Sequence, residues 1–312
     1  MSTARVHGPV TAQIRLPDQS AVRLEGVTVR RGGHRVLDDI DLSIERNICF
    51  GVAANSTESL GMIADLIATV RRPTTGSVHV LGFDAATDAG QIRRRLGYLP
   101  HPHNVPSHLR VDEFLSLQAA ALGVPRESWD STIETLLTLV GIAGRQGTFT
   151  DQLSPGARQL LGVAGALVND PGIVVLHEPT AGLDARAAGR LWNMLHRLTD
   201  VSRTIVVCSR QLSELSAGCA RIAVVDDGRI VDTGPPTDVL GRLGGARRIR
   251  ARLANGVVRT HTVPDAAAQA ALLKKLVAAD LDLIEFAEVA PELDDLRLGS
   301  QGPTSGGSEP KR

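Results

Sequence analysis

The sequence predicts an α/β protein with a largely parallel central sheet, a helical subdomain inserted in its middle and a small α+β extension at its C-terminal end. Two patterns carry this prediction. Short apolar runs of strand length alternate with helical segments, which is typical of repeated βαβ units. Residues 110–145 interrupt the alternation, because they contain two consecutive helical segments joined by a loop at Pro125.

The first half of the predicted core begins with a hairpin. Residues 22–29 and 37–44 are rich in apolar and β-branched side chains on either side of a Gly32-Gly33 turn, which predicts two paired strands. A buried strand, a polar loop and a helix follow at residues 48–53, 54–59 and 60–70. Thr75-Gly76 is expected as a turn before a strand at 78–81 and a short helix at 86–95.

The second half repeats the alternation after the helical block at 111–122 and 131–141. The predicted elements are a helix at 158–168, a fully buried strand at 173–176, an amphipathic helix at 185–200, and strands at 204–208 and 222–226. Beyond Gly244-Gly245 the composition shifts, and we expect strands at 248–253 and 257–263, a helix at 265–279 and a strand at 281–289.

These elements define the expected organisation of the chain. We predict a disordered leader at residues 1–20, a main domain at 21–243 whose helical subdomain spans about 86–168, an extension at 244–298, and a disordered tail at 299–312. The leader and the tail are polar and interrupted by proline or glycine, so they cannot bury enough apolar surface to fold.

Composition excludes several classes of protein. The 34 basic residues balance the 34 acidic ones, and the pI is near 7.1, so no general charge favours nucleic acid as a partner. No apolar stretch approaches the roughly 20 residues of a membrane span. The N-terminus lacks the apolar segment of a signal peptide, and three cysteines indicate no disulfide framework, which together favour a cytoplasmic protein.

Lysine is almost absent from the chain. Of the 34 basic residues 31 are arginine, and the three lysines are Lys274, Lys275 and Lys311. No lysine therefore lies in the main domain. This matters because a phosphate-binding loop normally uses a lysine to reach the terminal phosphates of a nucleotide.

Several segments, in order, resemble the ATP-binding subunit of an ABC transporter. The most specific are Leu-Ser-Pro-Gly-Ala-Arg-Gln at 153–159 and the strand that ends in His-Glu-Pro at 177–179. The others lie at residues 37–40, 72–76, 96–100, 181–184 and 228–235. The resemblance covers about residues 22–240 and implies a P-loop NTPase-like ABC cassette. A shorter match at 291–296 resembles the extension of ABC-2-type exporters of the daunorubicin-resistance kind.

The resemblance implies that two such subunits pair head to tail. Each ATP then lies between the phosphate loop of one subunit, its cis site, and the signature motif of the other, which acts in trans. Counting back from Arg72-Pro73, the family's phosphate-loop motif falls on residues 54–62. Leu60 then takes the lysine position and Gly61 the position of the magnesium-binding hydroxyl. The other degenerate positions of this loop are Ala54, Ser59 and Met62.

Further cis positions are also altered. The metal-binding aspartate is His177, for which we expect a buried, hydrogen-bonded histidine with no bound metal, since imidazole is a poor magnesium ligand. Glu178 keeps the position that polarises the attacking water, and we expect it to persist as a vestigial, structural carboxylate. The glutamine, switch-histidine and adenine-stacking positions carry His101, Arg210 and Arg31. We therefore expect ATP hydrolysis by the chain's own site to be absent or very weak.

The trans half of the site is better preserved. Ser154 and Gly156 remain in the signature, and Asp184 remains in the loop after the catalytic strand. We therefore expect no nucleotide at the chain's own site, and ATP with Mg²⁺ only at a composite site formed with a second ATP-binding subunit.

The resemblance also implies an integral-membrane permease as a partner. The permease would be contacted through Tyr98, His101, Asn104 and Phe114, which would hold this chain at the inner face of the cell membrane.

Two alternative functions remain open from the sequence. The chain could be a divergent but active ATPase that drives export, with an arginine such as Arg46 or Arg210 replacing the lysine. It could also be a scaffold or regulator that keeps the ABC fold without taking part in transport. The sequence names no transported substrate, because selectivity in this family lies in the permease.

Overall fold

The computed structural model describes residues 20–243, 247–263, 266–279 and 282–289. The predicted tail at 299–312, the motif at 291–296 and the boundary at Gly244-Gly245 lie outside the described residues, as does all of the predicted leader except Ser20. Ser20 is the first residue of a strand.

Thirteen strands and nine α-helices occur in the described parts of the chain. The strands are β1 (Ser20–Arg31), β2 (His34–Glu45), β3 (Cys49–Ala54), β4 (Thr75–Val80), β5 (Phe83–Asp84), β6 (Leu96–Leu99), β7 (Ile173–His177), β8 (Thr204–Ser209), β9 (Arg221–Asp226), β10 (Arg229–Gly234), β11 (Arg247–Leu253), β12 (Val258–Val263) and β13 (Leu283–Val289). The helices are α1 (Thr57–Ile67), α2 (Ala89–Arg93), α3 (Val111–Ala121), α4 (Trp129–Val140), α5 (Pro155–Leu167), α6 (Ala185–Asp200), α7 (Leu212–Gly218), α8 (Pro236–Leu243) and α9 (Ala266–Ala278).

The central sheet has six strands in the order β10-β9-β3-β8-β7-β6. All neighbouring pairs are parallel except β10 with β9, which confirms the predicted α/β class. Every residue of β3, β7 and β8 is buried, because helices or a second sheet cover both faces. The carboxyl ends of the parallel strands share one edge, so the loops that follow β3, β6, β7 and β8 meet there.

The second sheet is antiparallel, in the order β2-β1-β4-β5, and α1 lies between it and the central sheet in a shared apolar core. The predicted hairpin is present, with strands longer than expected. The turn predicted at Thr75-Gly76 is wrong, because Thr75 pairs with Thr28 and extends β4 in the N-terminal direction. The helix predicted at 86–95 is limited to α2.

Helices α3, α4 and α5 form the helical subdomain, around buried residues such as Leu115, Leu137 and Leu161. The predicted range of about 86–168 is too wide, because β6 lies inside it and pairs with β7 in the central sheet. Helix α5 begins three residues earlier than predicted, since Ser154 caps it and proline is accepted in the first turn.

The C-terminal extension is a three-stranded antiparallel sheet, in the order β12-β11-β13, accompanied by α9. Ile249, Ala251 and Leu253 alternate as buried residues along its central strand β11, which gives the extension an apolar face of its own. Of the helices that the structure describes, none combines the length and the apolar character needed to cross a membrane.

Candidate functional site

The connection from β3 to α1 is where the resemblance places the phosphate loop, and it is short. Only Asn55 and Ser56 separate the strand from the helix. The Ser56 hydroxyl oxygen accepts a hydrogen bond from the Ser59 N–H at 3.1 Å, and the Ser56 carbonyl accepts one from the Leu60 N–H at 3.1 Å. A phosphate loop directs such N–H groups at its ligand. In this loop, the N–H groups of Ser59 and Leu60 instead donate hydrogen bonds to Ser56 of the same chain.

Four of the side chains at the predicted loop positions are buried in the core. Leu60, at the position expected for the lysine, has no exposed surface and packs in the core that α1 shares with the antiparallel sheet. Ala54 and Met62 are buried as well, and the Ser59 hydroxyl donates to the Val36 carbonyl at 3.3 Å. A cation at position 60 would therefore be desolvated without a partner.

A carboxylate of the chain lies at the N-terminus of α1. Glu58, in the first turn, accepts a hydrogen bond from the Arg31 guanidinium at 3.2 Å, and its other oxygen lies 3.7 Å from the His34 ring. The helix dipole favours an anion at this end. Arg31 and Glu58 are largely exposed, so the pair contributes at most about 1 kcal/mol to stability. Its importance is positional, because Glu58 places a negative charge where a phosphate would bind.

His177, at the end of β7, packs directly against α1. A Cβ atom at Gly61 would lie only 3.3 Å from the His177 ring, so the two positions that would bind magnesium are in van der Waals contact. His177 is 2% exposed, and this burial lowers the pKa of its imidazole. The ring is therefore neutral near pH 7 and supplies none of the negative charge that Mg²⁺ requires.

The burial expected for His177 is observed, whereas a hydrogen bond at its Nε2 atom is not, within the part of the chain that the structure describes. The Nε2 atom of His177 is buried and has no hydrogen-bond partner among the described residues. Its ring meets that of His101, which follows β6, edge to face, with 5.5 Å between the ring centroids. Adjacent strands of the sheet bring these two histidines together across 76 positions of sequence.

Glu178 is held by the end of β8. One carboxylate oxygen accepts a hydrogen bond from the Arg210 N–H at 2.8 Å and the other accepts one from the Ser209 hydroxyl at 3.0 Å. The residue is 8% exposed and has a positive φ of 49°, an uncommon conformation outside glycine. The Gln159 side chain fixes the same turn by donating to the carbonyls of Glu178 and Pro179. The Arg210 side chain is exposed.

The predicted trans residues lie at two helix N-termini. Ser154 is exposed and caps α5, with its hydroxyl oxygen 3.2 Å from the Ala157 N–H. Asp184 is exposed and caps α6, accepting a hydrogen bond from the Ala187 N–H at 2.7 Å. Between them, a Cβ atom at Gly156 would lie 3.1 Å from the Gly182 carbonyl oxygen, so glycine permits this close approach.

Comparisons with known proteins identify the family to which this domain belongs. The family model described as ABC transporter matches residues 60–181. A Nod factor export ATP-binding protein I of Mesorhizobium japonicum is 29% identical over 233 residues, which are 74% of this chain and 68% of the relative. A methionine import ATP-binding protein of Burkholderia mallei is 32% identical over 235 residues, 72% of this chain. This chain contains an ABC transporter ATP-binding domain.

Solved structures show the same fold for this ABC domain. An ATP-binding subunit of an ABC transporter superposes with a TM-score of 0.66 at 19% identity, over 72% of this chain and 94% of that one. A bacterial Atm1-family ABC exporter with ATP bound superposes with a TM-score of 0.65 at 20% identity, over 73% of this chain and 41% of that one.

The chain spans 59% of the length of the Burkholderia relative, which is less than two thirds.

Three of the four predicted permease-contact residues border a groove of the ABC domain, whereas His101 does not line it. The groove has a volume of about 290 Å³, lies between β6 and helices α3 and α5, and is bordered by Tyr98, Asn104 and Phe114. The Tyr98 hydroxyl donates to Asp65 on α1 at 2.8 Å. Asn104 is exposed, whereas Phe114 is 6% exposed and packs on α5 beside Gly165, so it forms part of the groove wall.

Sequence reasoning missed three residues that shape the site. His34 joins Arg31 at Glu58, Asp65 receives the Tyr98 hydroxyl, and Gln159 fixes the turn at Glu178. Only Gln159 had a signal, as the last residue of the signature segment at 153–159. The partners of His34 and Asp65 are far away in sequence, and no local pattern indicates them.

Proposed function

We propose that this chain is the ATP-binding-type subunit of an ABC exporter which has lost its own ATP site and supports a competent partner subunit through its signature motif. The observation that carries the proposal is the contrast between the two halves of the site. The cis half is filled by the chain's own side chains, whereas the trans half presents two exposed helix N-termini.

The cis half lacks the groups that phosphoryl transfer depends on. Catalysis of this reaction consists almost entirely of positioning and of stabilising negative charge. Glu58 brings a negative charge to the phosphate position, Leu60 supplies no cation, and the His177 ring packs on the position of the magnesium-binding hydroxyl. Glu178, which would polarise the attacking water, already uses both carboxylate oxygens for hydrogen bonds.

The trans half keeps what a partner's nucleotide would need. The N-terminus of α5 favours an anion, because this helix of 13 residues has no acidic side chain in its first turn. Ser154 offers a hydroxyl and Gly156 a backbone N–H at the end of α5. ATP and Mg²⁺ would then be bound at a composite site, held by the phosphate loop of the partner and closed by Ser154, Gly156 and Asp184 of this chain.

The groove beside β6 supports an integral-membrane permease as the further partner, with no nucleic acid involved. Contact through this groove would hold the chain at the inner, cytoplasmic face of the membrane. We propose export as the direction of transport. The match to this chain covers 68% of the length of the Nod factor export relative but only 59% of the methionine import relative.

Isothermal titration of the purified chain with Mg-ATP tests the loss of the cis site. We expect no binding in the micromolar range for the wild-type chain. We expect the same for Glu58→Gln, because removing the charge leaves Leu60 buried and His177 in place. Micromolar binding by the wild-type chain would contradict the proposal and favour a divergent, active ATPase.

A further inference from the structure

Two buried thiols beside the central sheet face each other. The sulfur atoms of Cys49 and Cys219 are 3.6 Å apart, although the two residues are 170 positions apart in sequence. Both cysteines are free, and they are 4% and 8% exposed. The sulfur atoms have to approach from this contact distance to about 2.05 Å to form a disulfide bond. Small rotations of the two side chains supply a displacement of this size.

The backbone holds the two cysteines next to each other. Cys49 is the first residue of β3, and its carbonyl accepts a hydrogen bond from the Ala220 N–H at 2.9 Å. Cys219 directly follows α7, and its sulfur lies against Gly51 of β3, where an added Cβ atom would be only 3.1 Å away. Glycine at position 51 therefore leaves the space on this face of β3 that the Cys219 sulfur fills.

The third cysteine lies on the other side of the sheet. Cys208, in β8, belongs to the apolar core that α1 shares with the antiparallel sheet. Cys49 and Cys219 belong to the core that includes the helical subdomain. A bond from Cys208 to either of them would have to pass through the sheet, so the geometry selects a single pair of thiols.

We propose that Cys49 and Cys219 form an intramolecular disulfide bond on reaction with hydrogen peroxide, and that this bond ties β3 to the segment between α7 and β9. The sulfur of Cys219, the more exposed thiol, attacks one peroxide oxygen as its thiolate. The O–O bond breaks, and the products are a sulfenic acid and one water. The Cys49 sulfur then attacks the sulfenic sulfur, so that the S–S bond forms, the S–O bond breaks and a second water leaves. Two thiols are oxidised and one peroxide is reduced.

The surroundings of the pair make this reaction slow. The contact with Cys49 and the burial of the side chain both raise the pKa of the Cys219 thiol, so little reactive thiolate is present near neutral pH. The new bond lies at the start of β3, whereas the loops of the nucleotide site follow the other ends of the parallel strands. The bond therefore stabilises the fold at a distance from that site.

Peptide mapping of the purified, reduced chain tests the proposal after treatment for hours with hydrogen peroxide at mildly alkaline pH. We expect a non-reduced digest to contain a peptide that joins Cys49 to Cys219. The thiols that can be alkylated in denaturant should fall from three to one. The melting temperature should rise by about 5 °C or more, because the bond closes a long loop in the unfolded chain.

The matched control is Cys208→Ala, which removes the buried thiol of the other core. It should leave the joined peptide and the rise in melting temperature unchanged, whereas Cys49→Ala and Cys219→Ala should each abolish both. A joined peptide that contains Cys208, oxidation of Cys49 and Cys219 to sulfinic acids without a link, or three unreacted thiols would overturn the proposal. The wild-type digest decides this even where a variant fails to fold. Because neither nucleotide nor partner subunit is present, the result is independent of the proposed transport function.

Discussion

Leu60 is the residue that supports the proposed loss of the phosphate loop most directly. A lysine in a phosphate loop must keep its ammonium group in a polar space that the nucleotide fills. Leu60 instead contributes its side chain to the apolar core, between α1 and the antiparallel sheet, and has no exposed surface. Because Leu60 is part of the core packing, we propose that a lysine at position 60 would not by itself create a phosphate-binding site.

Leu60→Lys should strongly destabilise the protein. The substitution buries an ammonium group without a counter-charge, which we expect to reduce the free energy of unfolding by about 3 kcal/mol or more. The measurement is urea unfolding followed by circular dichroism. Leu117→Lys is the matched control, because Leu117 is a helical leucine that is 56% exposed and should change stability by less than about 0.5 kcal/mol. Equal effects of the two variants would contradict this account.

Asp232 provides a pH-dependent interaction at the residue scale. Its carboxylate accepts two hydrogen bonds from Arg242, at 2.8 and 3.0 Å, and these hold the pKa of the carboxyl below its usual value. The lowered pKa means that this stabilisation is present above about pH 4 and is lost as the pH falls below that value.

Replacing Asp232 by asparagine should therefore reduce stability near pH 7 by at most about 1 kcal/mol, because Arg242 is half-exposed. Close to pH 2 the variant and the wild type should differ little. The measurement is urea unfolding at both pH values. Asp151→Asn, at an exposed aspartate, is the control and should show no such pH-dependent difference.

At the scale of elements, the start of α1 explains why the loop is closed. The sequence predicts a polar loop at 54–59 and a helix from residue 60, whereas α1 starts at Thr57. Ser56 is a good N-cap, and an acidic residue in the first turn, Glu58, stabilises the helix further. Local capping thus places residues 57–59, half of the predicted loop, in the first helical turn.

Strand β6 packs unusually closely against helix α5, and this packing depends on a glycine. A Cβ atom at Gly97 would lie 1.8 Å from the Ala166 carbonyl oxygen, so the strand can approach the helix only with glycine there. Gly97→Ala should therefore cost about 2–3 kcal/mol or more, because backbone has to move. This contact fixes the strand that leads to His101.

The control is Gly189→Ala. Gly189 lies within α6, and a Cβ atom added there meets nothing within 4 Å. This variant should be about 0.4–1 kcal/mol more stable than wild type, since alanine restricts the unfolded chain. Opposite signs for the two glycine variants in thermal unfolding are the expected result. A stabilising Gly97→Ala would show that β6 and α5 are not packed this closely.

At the scale of the whole molecule, the two proposed halves of the nucleotide site lie in different environments. The cis half lies between α1, β7 and the hairpin β1–β2, and the chain's own side chains fill it. The trans half lies at the N-termini of α5 and α6, where Ser154 and Asp184 are exposed. We propose that this difference allows the cis half to lose its chemistry while the trans half keeps it.

Two N-cap serines allow this asymmetry to be tested. Ser154 caps α5 on the trans side, and Ser56 caps α1 on the cis side, with hydrogen bonds of 3.2 and 3.1 Å. Ser154→Ala and Ser56→Ala should each cost about 1 kcal/mol of stability. Only Ser154→Ala should slow ATP turnover, by about tenfold or more, in the complex purified with its partner subunit and permease. Equal turnover of the two variants would contradict a role for the signature in trans.

The sequence by itself determined the fold class and the main strands. These follow from local patterns: apolar runs of strand length, turn residues and ordered motifs. Its errors are mostly at element ends, as at Thr75 and the start of α1, where pairing and capping extend an element beyond its pattern.

Only the tertiary structure decided which side chains meet. It paired Glu58 with Arg31 and His34, placed His177 against Gly61, and brought His101 beside His177. These contacts join strands and helices that are distant in sequence, and they depend on sheet order and on how closely α1 packs. Local patterns carry no information on such contacts, because the side chains that meet belong to different periodic segments.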